Sequence, residues 1–423
     1  MTNNTRVLLN IKDENIKFNE NCIQILSDSG VISVYGTLDY RPKACHSCGV
    51  LNHNQIINYG WRTVSIRLPR CSELDVILKL RKRYFYCKEC QTYFLAQTTL
   101  VNKNCSISEN TRMACLEKML CPSSMKQIAN ELNVSSSYIS RLLDASDSDF
   151  KVNLTYLPET LLMDELQAVP GHLSFEYMDG ATNKLLDLVE TRTIYQVTKY
   201  FKRFTLKARE NVKVIVTDMN YTYPKFAGTL FPNAIVVYDR FHIVNSLMRA
   251  FNKTRIQIMK NYAITSTDYK VLKRYWKLLL KPMSKLNYKI FRKWTYFNYA
   301  ATETEVVDHL LGLDKILSAT YQLLQRMMSS IATKDWDSVA NILHSENEVS
   351  TYFKKSLLIL IEHEDYVKNA INYPYSNGPL EGTNNKLKII KRNAYGFSNF
   401  RHFRNRVFFV MRNKSIKKGI VTK

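Results

Sequence analysis

Three observations predict an α/β fold. Apolar runs of strand length, "TLLMDEL", "VKVIVTDMN" and "AIVVYDRFHIV", each carry an aspartate at or near their end. A long stretch with the apolar spacing of helices follows them. Ahead of them, two Cys-x-x-Cys pairs sit among alternating, aromatic-rich segments, the pattern of a β module closed by a metal. The expected class is therefore a mixed catalytic core interrupted by a large α-helical insertion and preceded by two small modules.

Residues 1–40 carry no motif and are read as an N-terminal extension. Within 41–100, Cys45 and Cys48 form one pair and Cys87 and Cys90 another, with 38 residues between the pairs. Each pair can close on one ion through a tight knuckle, and four thiolates suit a tetrahedral structural Zn²⁺. The segments "TVSIRLP", "DVILKLRKRYFYC" and "TYFLA" read as strands, which makes the module a zinc ribbon. Four buried free thiols are the plainer alternative. Cys22, Cys71, Cys105, Cys115 and Cys121 lack such spacing and read as small core residues. The odd total of nine cysteines fits a secreted disulfide framework poorly.

Over 105–148 the pattern turns helical. Ile128, Ala129 and Leu132 mark one apolar face, and Ile139 and Leu142 mark a second. Asn133-Val134-Ser135 makes the turn between them, with Ser135 or Ser136 available as a cap. This is the spacing of a helix-turn-helix, whose second helix, about Ser136–Leu143, would offer Ser136, Ser137, Tyr138 and Arg141 to a major groove.

The remainder, 155–423, reads as one catalytic domain with a helical insertion at about 245–370. "HLSFEYMD" and "KLLDLVETR" are strands that form a hairpin around Gly180, and "IYQVTKYFKRFTLKA" is an amphipathic helix. Three strands, helix, strand, helix, strand is the order of an RNase H-like core. In that order the end of the first strand lies beside the end of the fourth, so Asp164 and Asp218 would face one another. Adjacent carboxylates repel unless a cation lies between them. A pair of Mg²⁺ ions roughly 3.5–4 Å apart, or Mn²⁺ in their place, suits attack on a phosphodiester. Each acid alone reads better as a strand-end turn residue, and it is the pair of them at these strands in a basic chain that favours the metal site.

The segment "SNGPLEGTNNKLKIIKRN" opens a basic helix, with Pro379 suited to its first turn and Gly378 or Asn377 to its cap. Glu381 then meets unpaired N–H groups, as a capping carboxylate does. Capping explains neither Lys386, Lys388, Lys391 and Arg392 beyond it nor the acids upstream.

A net charge of +23 is concentrated in two windows. Residues 245–300 hold 13 Lys/Arg against one acid, and residues 382–423 hold 12 against none. Such segments favour a polyanionic partner. Tyr275, Trp276, Trp294 and Tyr296 are interleaved with the basic residues of the insertion, where aromatics at helical spacing read as core residues or as stacking platforms for a bound partner. No basic segment followed by an apolar one opens the chain, and no apolar run nears the ~20 residues that cross a bilayer. A cytoplasmic protein without a membrane partner is expected.

The ribbon cysteines, the helix-turn-helix, "LLMDELQ", "VIVTDMNYTY", "FPNAIVVYDRFHIV" and "SNGPLEGTNNKLKIIKRNAYGFSNFRHFRNRV" together resemble the ISL3 family of bacterial insertion-sequence transposases over nearly the whole chain. The resemblance implies that Asp164, Asp218 and Glu381 are a DDE triad holding two Mg²⁺ ions. It also implies that the helical stretch between Asp218 and Glu381 is an insertion within the RNase H-like fold. Asp239 and His242 resemble an Asp-x-x-His element that holds DNA or the scissile phosphate, against the reading of His242 as a histidine bonded to Asp239 at a helix start. The implied activity is strand cleavage and strand transfer on double-stranded DNA, at terminal inverted repeats and a target, by a homodimer or larger oligomer. A DNA-binding regulator without catalysis and a nuclease on the same core are the competing readings.

Overall fold

The computed structural model describes residues 2–26, 30–219 and 222–411, so the end of the expected catalytic range, 412–423, lies outside it. The described residues form two compact units. One holds those up to Lys151, Ala168–Pro170 and those from Lys386 onward; the other holds Val152–Gln167 and Gly171–Asn385.

In the first unit, α1 (Thr2–Leu8) precedes β1 (Ile16–Leu26), β2 (Val31–Leu38), β3 (Ile56–Cys71), β4 (Leu74–Cys87) and β5 (Tyr93–Leu95). The strands lie in the order β1-β2-β4-β3, with β5 also paired to β4. The β3–β4 hairpin turns at Ser72 and Glu73, both with positive φ (49° and 64°), the mirror-image turn that matches strand twist. Ile66 and Leu68 of β3 and Val76, Leu78 and Leu80 of β4 alternate into a core shared with Ile16, Phe18, Val34 and Leu38.

Three helices follow: α2 (Glu109–Lys118), α3 (Met125–Glu131) and α4 (Ser136–Ala145). Each begins at a serine, Ser108, Ser124 and Ser135, whose hydroxyl accepts a backbone N–H of the first turn. Between α3 and α4, Asn133 takes a left-handed φ of 50°. Ile128, Ala129, Leu132 and Ile139 are buried as their spacing requires, while Leu143 rather than Leu142 completes the second face.

The second unit contains a five-stranded sheet of β6 (Thr160–Val169), β7 (His172–Asp179), β8 (Lys184–Val189), β9 (Val214–Thr217) and β10 (Ile235–Tyr238), ordered β10-β9-β6-β7-β8. α5 (Ile194–Phe201) and α6 (Leu206–Glu210) connect β8 to β9, and α7 (Thr222–Leu230) connects β9 to β10. Alternation along the strands sends side chains to two cores. Leu161, Met163, Phe175 and Ile215 pack with Val197, Phe201 and Phe226 of the connecting helices. Leu162, Val214, Val216 and Val237 face the other way, toward α8 (Arg240–Met259). All four residues of β9 are buried, as in a sheet covered on both faces.

After α8 come α9 (Thr267–Arg274), α10 (Trp276–Leu279), a short hairpin of β11 (Arg292–Lys293) and β12 (Ala300–Ala301), then α11 (Glu303–Gly312), α12 (Lys315–Thr333), α13 (Trp336–His344), α14 (Thr351–Glu362), α15 (Glu364–Asn372) and α16 (Gly378–Asn393). The hairpin departs from the continuous helix that the apolar spacing suggests.

The last described helix, α17 (Phe400–Met411), belongs to the first unit and packs on α4. Arg406, 1 % exposed, donates to the carbonyls of Met119 (2.6 Å), Cys121 (2.6 Å) and Ser123 (2.8 Å). Beside it, Asn405 donates to the carbonyl of Leu143 at 3.0 Å. Burial draws the Arg406 pKa down to about 10, and the three carbonyls satisfy the N–H groups that burial strips of water.

Candidate functional site

Strand register sets the geometry of the site. β6 and β9 are parallel with Met163 opposite Thr217, and β9 and β10 are parallel with Thr217 opposite Tyr238. The next residue on each is an aspartate, so Asp164, Asp218 and Asp239 stand in a row: Asp218 and Asp239 directly follow β9 and β10, whereas Asp164 lies within β6, which runs on to Val169 instead of ending at Asp164 as its apolar run suggests. Asp239 is buried and caps α8 through the Phe241 N–H, and its own N–H donates to the Thr217 carbonyl at 2.9 Å. One turn on, His242 Nε2 lies 3.1 Å from Asp218 Oδ1. Ligand atoms of Asp218, Asp239 and His242 all fall within 4.8 Å of one another.

The electrostatics follow from crowding. Burial, reinforced by the Asp218 charge, pushes Asp164 up to about 7. Burial also pushes Asp218 up to about 6; a hydrogen bond from Asn377 opposes the rise, and the Asp239 and Glu165 charges add to it.

Neighbouring groups fix the acids in place. The Asn384 side-chain amide donates to Asp164 Oδ2 at 2.8 Å, and that of Asn377 donates to the Met163 carbonyl at 3.1 Å. Glu165 accepts from Tyr223 Oη and from Arg192, each at 2.7 Å. On α8, His242, Ser246 and Arg249 share one face, spaced four and three residues apart, and line a cavity of 390 Å³ with Asp164, Glu165 and Asp218.

Hard oxygen donors beside one another suit a hard divalent cation. Two further observations fit one: the carboxyls are held toward their neutral forms, and the buried Oδ1 atoms of Asn377 and Asn384 have no hydrogen-bond partner among the described residues.

Glu381 occupies the first turn of α16 and is exposed, with its N–H bonded to the Asn377 carbonyl at 3.0 Å. It stands three residues before Asn384 on the same helix, and its carboxyl is not among the clustered ligand atoms. Further along α16, Lys386, Lys388 and Arg392 are exposed and Lys391 is half-buried. On α4, Ser136, Ser137 and Arg141 are exposed, whereas burial pushes the half-buried Tyr138 up to about 12.

The sequence reading gave Asn377 only a capping role and passed over Asn384, Glu165, Tyr223, Ser246 and Arg249. Two signals were present: adjacent asparagines inside a helix, where asparagine is a weak helix former, and an arginine seven residues after His242.

In the first unit the four expected thiols converge. Cys45 and Cys90 Sγ are 3.6 Å apart and Cys48 and Cys87 Sγ 3.8 Å apart. Zn–S bonds of about 2.3 Å in a tetrahedron require edges of about 3.8 Å, so the cluster is compatible with structural zinc. Gly49, at φ 77°, lets its N–H reach back to the Cys45 carbonyl at 3.0 Å and closes the first knuckle. The thiols compete for charge. The Cys45 thiol is lowered to about 6, because the N–H groups of Cys48 and Ser47 outweigh its burial. Cys48 is raised to about 12, since burial and the neighbouring sulfurs outweigh the Val50 N–H.

Among the described residues no helix is long and apolar enough to cross a membrane. The family model of the ISL3-type DDE transposases, described as a transposase, matches residues 161–407, more than half of the chain. Over 390 residues the chain is 22% identical to the transposase for insertion sequence element IS1001 of Bordetella parapertussis, covering 88% of this chain and 89% of that protein. A stretch of 106 residues, 25% of the chain, is 37% identical to a Lactococcus lactis subsp. lactis protein named ATP-dependent protease, of which the chain spans 34%. With Asp164 and Asp218 inside the matched range, the chain belongs to the ISL3 family of DDE transposases.

Proposed function

We propose that this protein is a DNA transposase that cuts at the ends of an insertion sequence and joins the freed ends to target DNA. The single observation that carries the reading is the parallel register that sets the half-buried Asp164 of β6 beside the half-buried Asp218 at the end of β9. The strand order, with α5 and α6 before β9 and α7 before β10, supports an RNase H-like core. In this reading Asp164, Asp218 and Glu381 form the triad, Glu381 standing about one turn before Asn384, whose amide holds Asp164. Bound there, two Mg²⁺ ions, or Mn²⁺, would activate the attacking oxygen and take up charge on the leaving one.

The protein's own part is placement. His242 fixes the Asp218 carboxylate, Asn384 fixes Asp164, and Arg249 with Ser246 grips a phosphate beside the scissile one. The capped pair α3 and α4 serves as a helix-turn-helix that reads the terminal inverted repeats through Ser136, Ser137 and Arg141, assisted by the zinc ribbon. Lys386, Lys388, Lys391 and Arg392 hold backbone phosphates. Joining two ends needs at least a dimer.

The deciding experiment incubates purified protein and Mg²⁺ with a duplex carrying the element's terminal repeat. Cleavage followed by joining is expected, and both should be lost in Asp218→Asn. Specific binding without cleavage at any divalent cation would instead identify a regulator, and cleavage without joining a nuclease.

A further inference from the structure

The aromatic residues of the insertion divide into two groups. Tyr275 Oη donates to the Thr295 carbonyl at 2.7 Å, and Trp294 Nε1 donates to the Ala301 carbonyl at 2.7 Å. Their rings meet edge to face at 5.1 Å, and the Arg292 guanidinium covers Trp294 at 3.8 Å. Those residues therefore pin the β11–β12 hairpin to its own unit and are unavailable as stacking platforms.

The segment just before the hairpin does the opposite. Tyr288, Ile290 and Phe291 are 68%, 64% and 61% exposed, and the intervening and following Lys289, Arg292 and Lys293 are exposed as well. The loop is held rather than loose. Asn287 Oδ1 accepts from the N–H groups of Lys289 (2.9 Å) and Ile290 (2.8 Å), and Glu303 accepts from Asn287 N–H (3.2 Å), Lys281 (2.7 Å) and Arg292 (3.2 Å). Three large apolar side chains on a fixed loop gain nothing for folding and mark an interaction site.

Charge selects the partner. Between Asp268 and Glu303 the chain has nine Lys/Arg and no carboxylate. Apolar tips set among cations complement base faces set among phosphates. Bases in an intact duplex are already stacked, and separating a step costs a few kcal/mol, roughly. That cost is least where the strands are already open.

We propose that Tyr288, Ile290 and Phe291 form a wedge that packs against unpaired bases of DNA opened at a strand end or junction, while Lys289 and Lys293 hold the flanking phosphates. The proposal rests on the reading of this chain as a transposase acting on DNA, and it names the DNA structure that the insertion recognises.

The test uses the full chain and two fluorescent probes of one sequence, a fully paired duplex and the same duplex with a central unpaired bubble carrying 2-aminopurine. Wild type is expected to bind the bubble about tenfold more tightly, the effect of one or two stacked bases, and to change its 2-aminopurine emission. Ile290→Ser/Phe291→Ser should lose that preference while keeping its circular dichroism and its affinity for the paired duplex. Lys289→Ala/Lys293→Ala should weaken binding to both probes and flatten the salt dependence by roughly two units of slope. Equal binding of both probes by wild type overturns the wedge, as does a preference kept by the serine variant. Binding to phosphatidylserine vesicles that the serine variant loses, with no bubble preference, assigns the segment to a membrane surface instead. Magnesium-dependent cleavage of the element's ends, measured on the same preparations, distinguishes failure of the wedge from failure of the transposase reading.

Discussion

Met163 and Thr217 are paired across two parallel strands, so the aspartates that follow them, Asp164 and Asp218, are neighbours by register rather than by side-chain choice. A one-residue slip of β9 would turn every buried side chain of that strand to the opposite face. The two cores that enclose the strand thus also fix the spacing of the carboxyls.

The first prediction concerns the cost of that spacing. A carboxyl whose folded pKa is raised contributes stability fully below its ordinary value of 3.8 and loses it as pH climbs through about 6 for Asp218 and about 7 for Asp164. In chelator the protein should therefore lose stability between those limits, and Asp218→Asn should recover on the order of 2 kcal/mol at neutral pH. Differential scanning fluorimetry with EDTA should show the variant melting higher than wild type. Magnesium should raise the wild-type midpoint and leave that of the variant nearly unchanged.

Glu381 and Asn384 can be separated by their different surroundings. Glu381 is exposed, so Glu381→Gln should leave melting in EDTA unaltered yet abolish end cleavage. Asn384→Ala removes the amide on Asp164 and should lower cleavage by about tenfold to a hundredfold while leaving some turnover. A Glu381→Gln protein that cleaves within a few-fold of wild type would leave α16 contributing only Asn384.

Thiol reactivity reports on the metal cluster. Cys71, Cys105 and Cys121 are exposed and lie outside the cluster, so in zinc-loaded protein they should react first with a disulfide reagent. Chelation should add Cys45, Cys48, Cys87 and Cys90 to the reactive set and release one zinc per chain, measured by elemental analysis. Cys87→Ser should lose that zinc.

Arg406 supports three carbonyls from the loop between α2 and α3. Arg406→Ala removes these donors and leaves a gap where a nearly fully buried side chain stood, and should destabilise the first unit by about 1–3 kcal/mol. Hydrogen exchange should quicken in 119–145 but not in the strands around Asp218.

Strand β9 was legible because it is buried on both faces and ends abruptly in polar residues around Asp218, whereas β6 runs on through Asp164 and Glu165 to Val169, since polar residues beyond an apolar run need not stop a strand. The four-cysteine cluster was legible because paired Cys-x-x-Cys spacing is what a tetrahedral metal site requires. The β11–β12 hairpin was not, since Trp294 and Tyr275 carry the same apolar spacing whether the backbone coils or turns back. The roles of Asn377 and Asn384 were hidden for another reason. Each amide acts on a strand more than 200 positions away, and no local pattern records so distant a hydrogen bond. Arg406 escaped in the same way, read only as one more positive charge near the basic helix.

The position of Arg406 also orders events during synthesis. Helices α2 to α4 emerge early, yet the guanidinium and the Asn405 amide that complete their burial are made more than 250 residues later. Domains that close on nearby residues can fold as they leave the ribosome. These helices must wait for almost all of the described chain, so a prematurely terminated product would contain the helices proposed to read DNA without the contacts that hold them in shape.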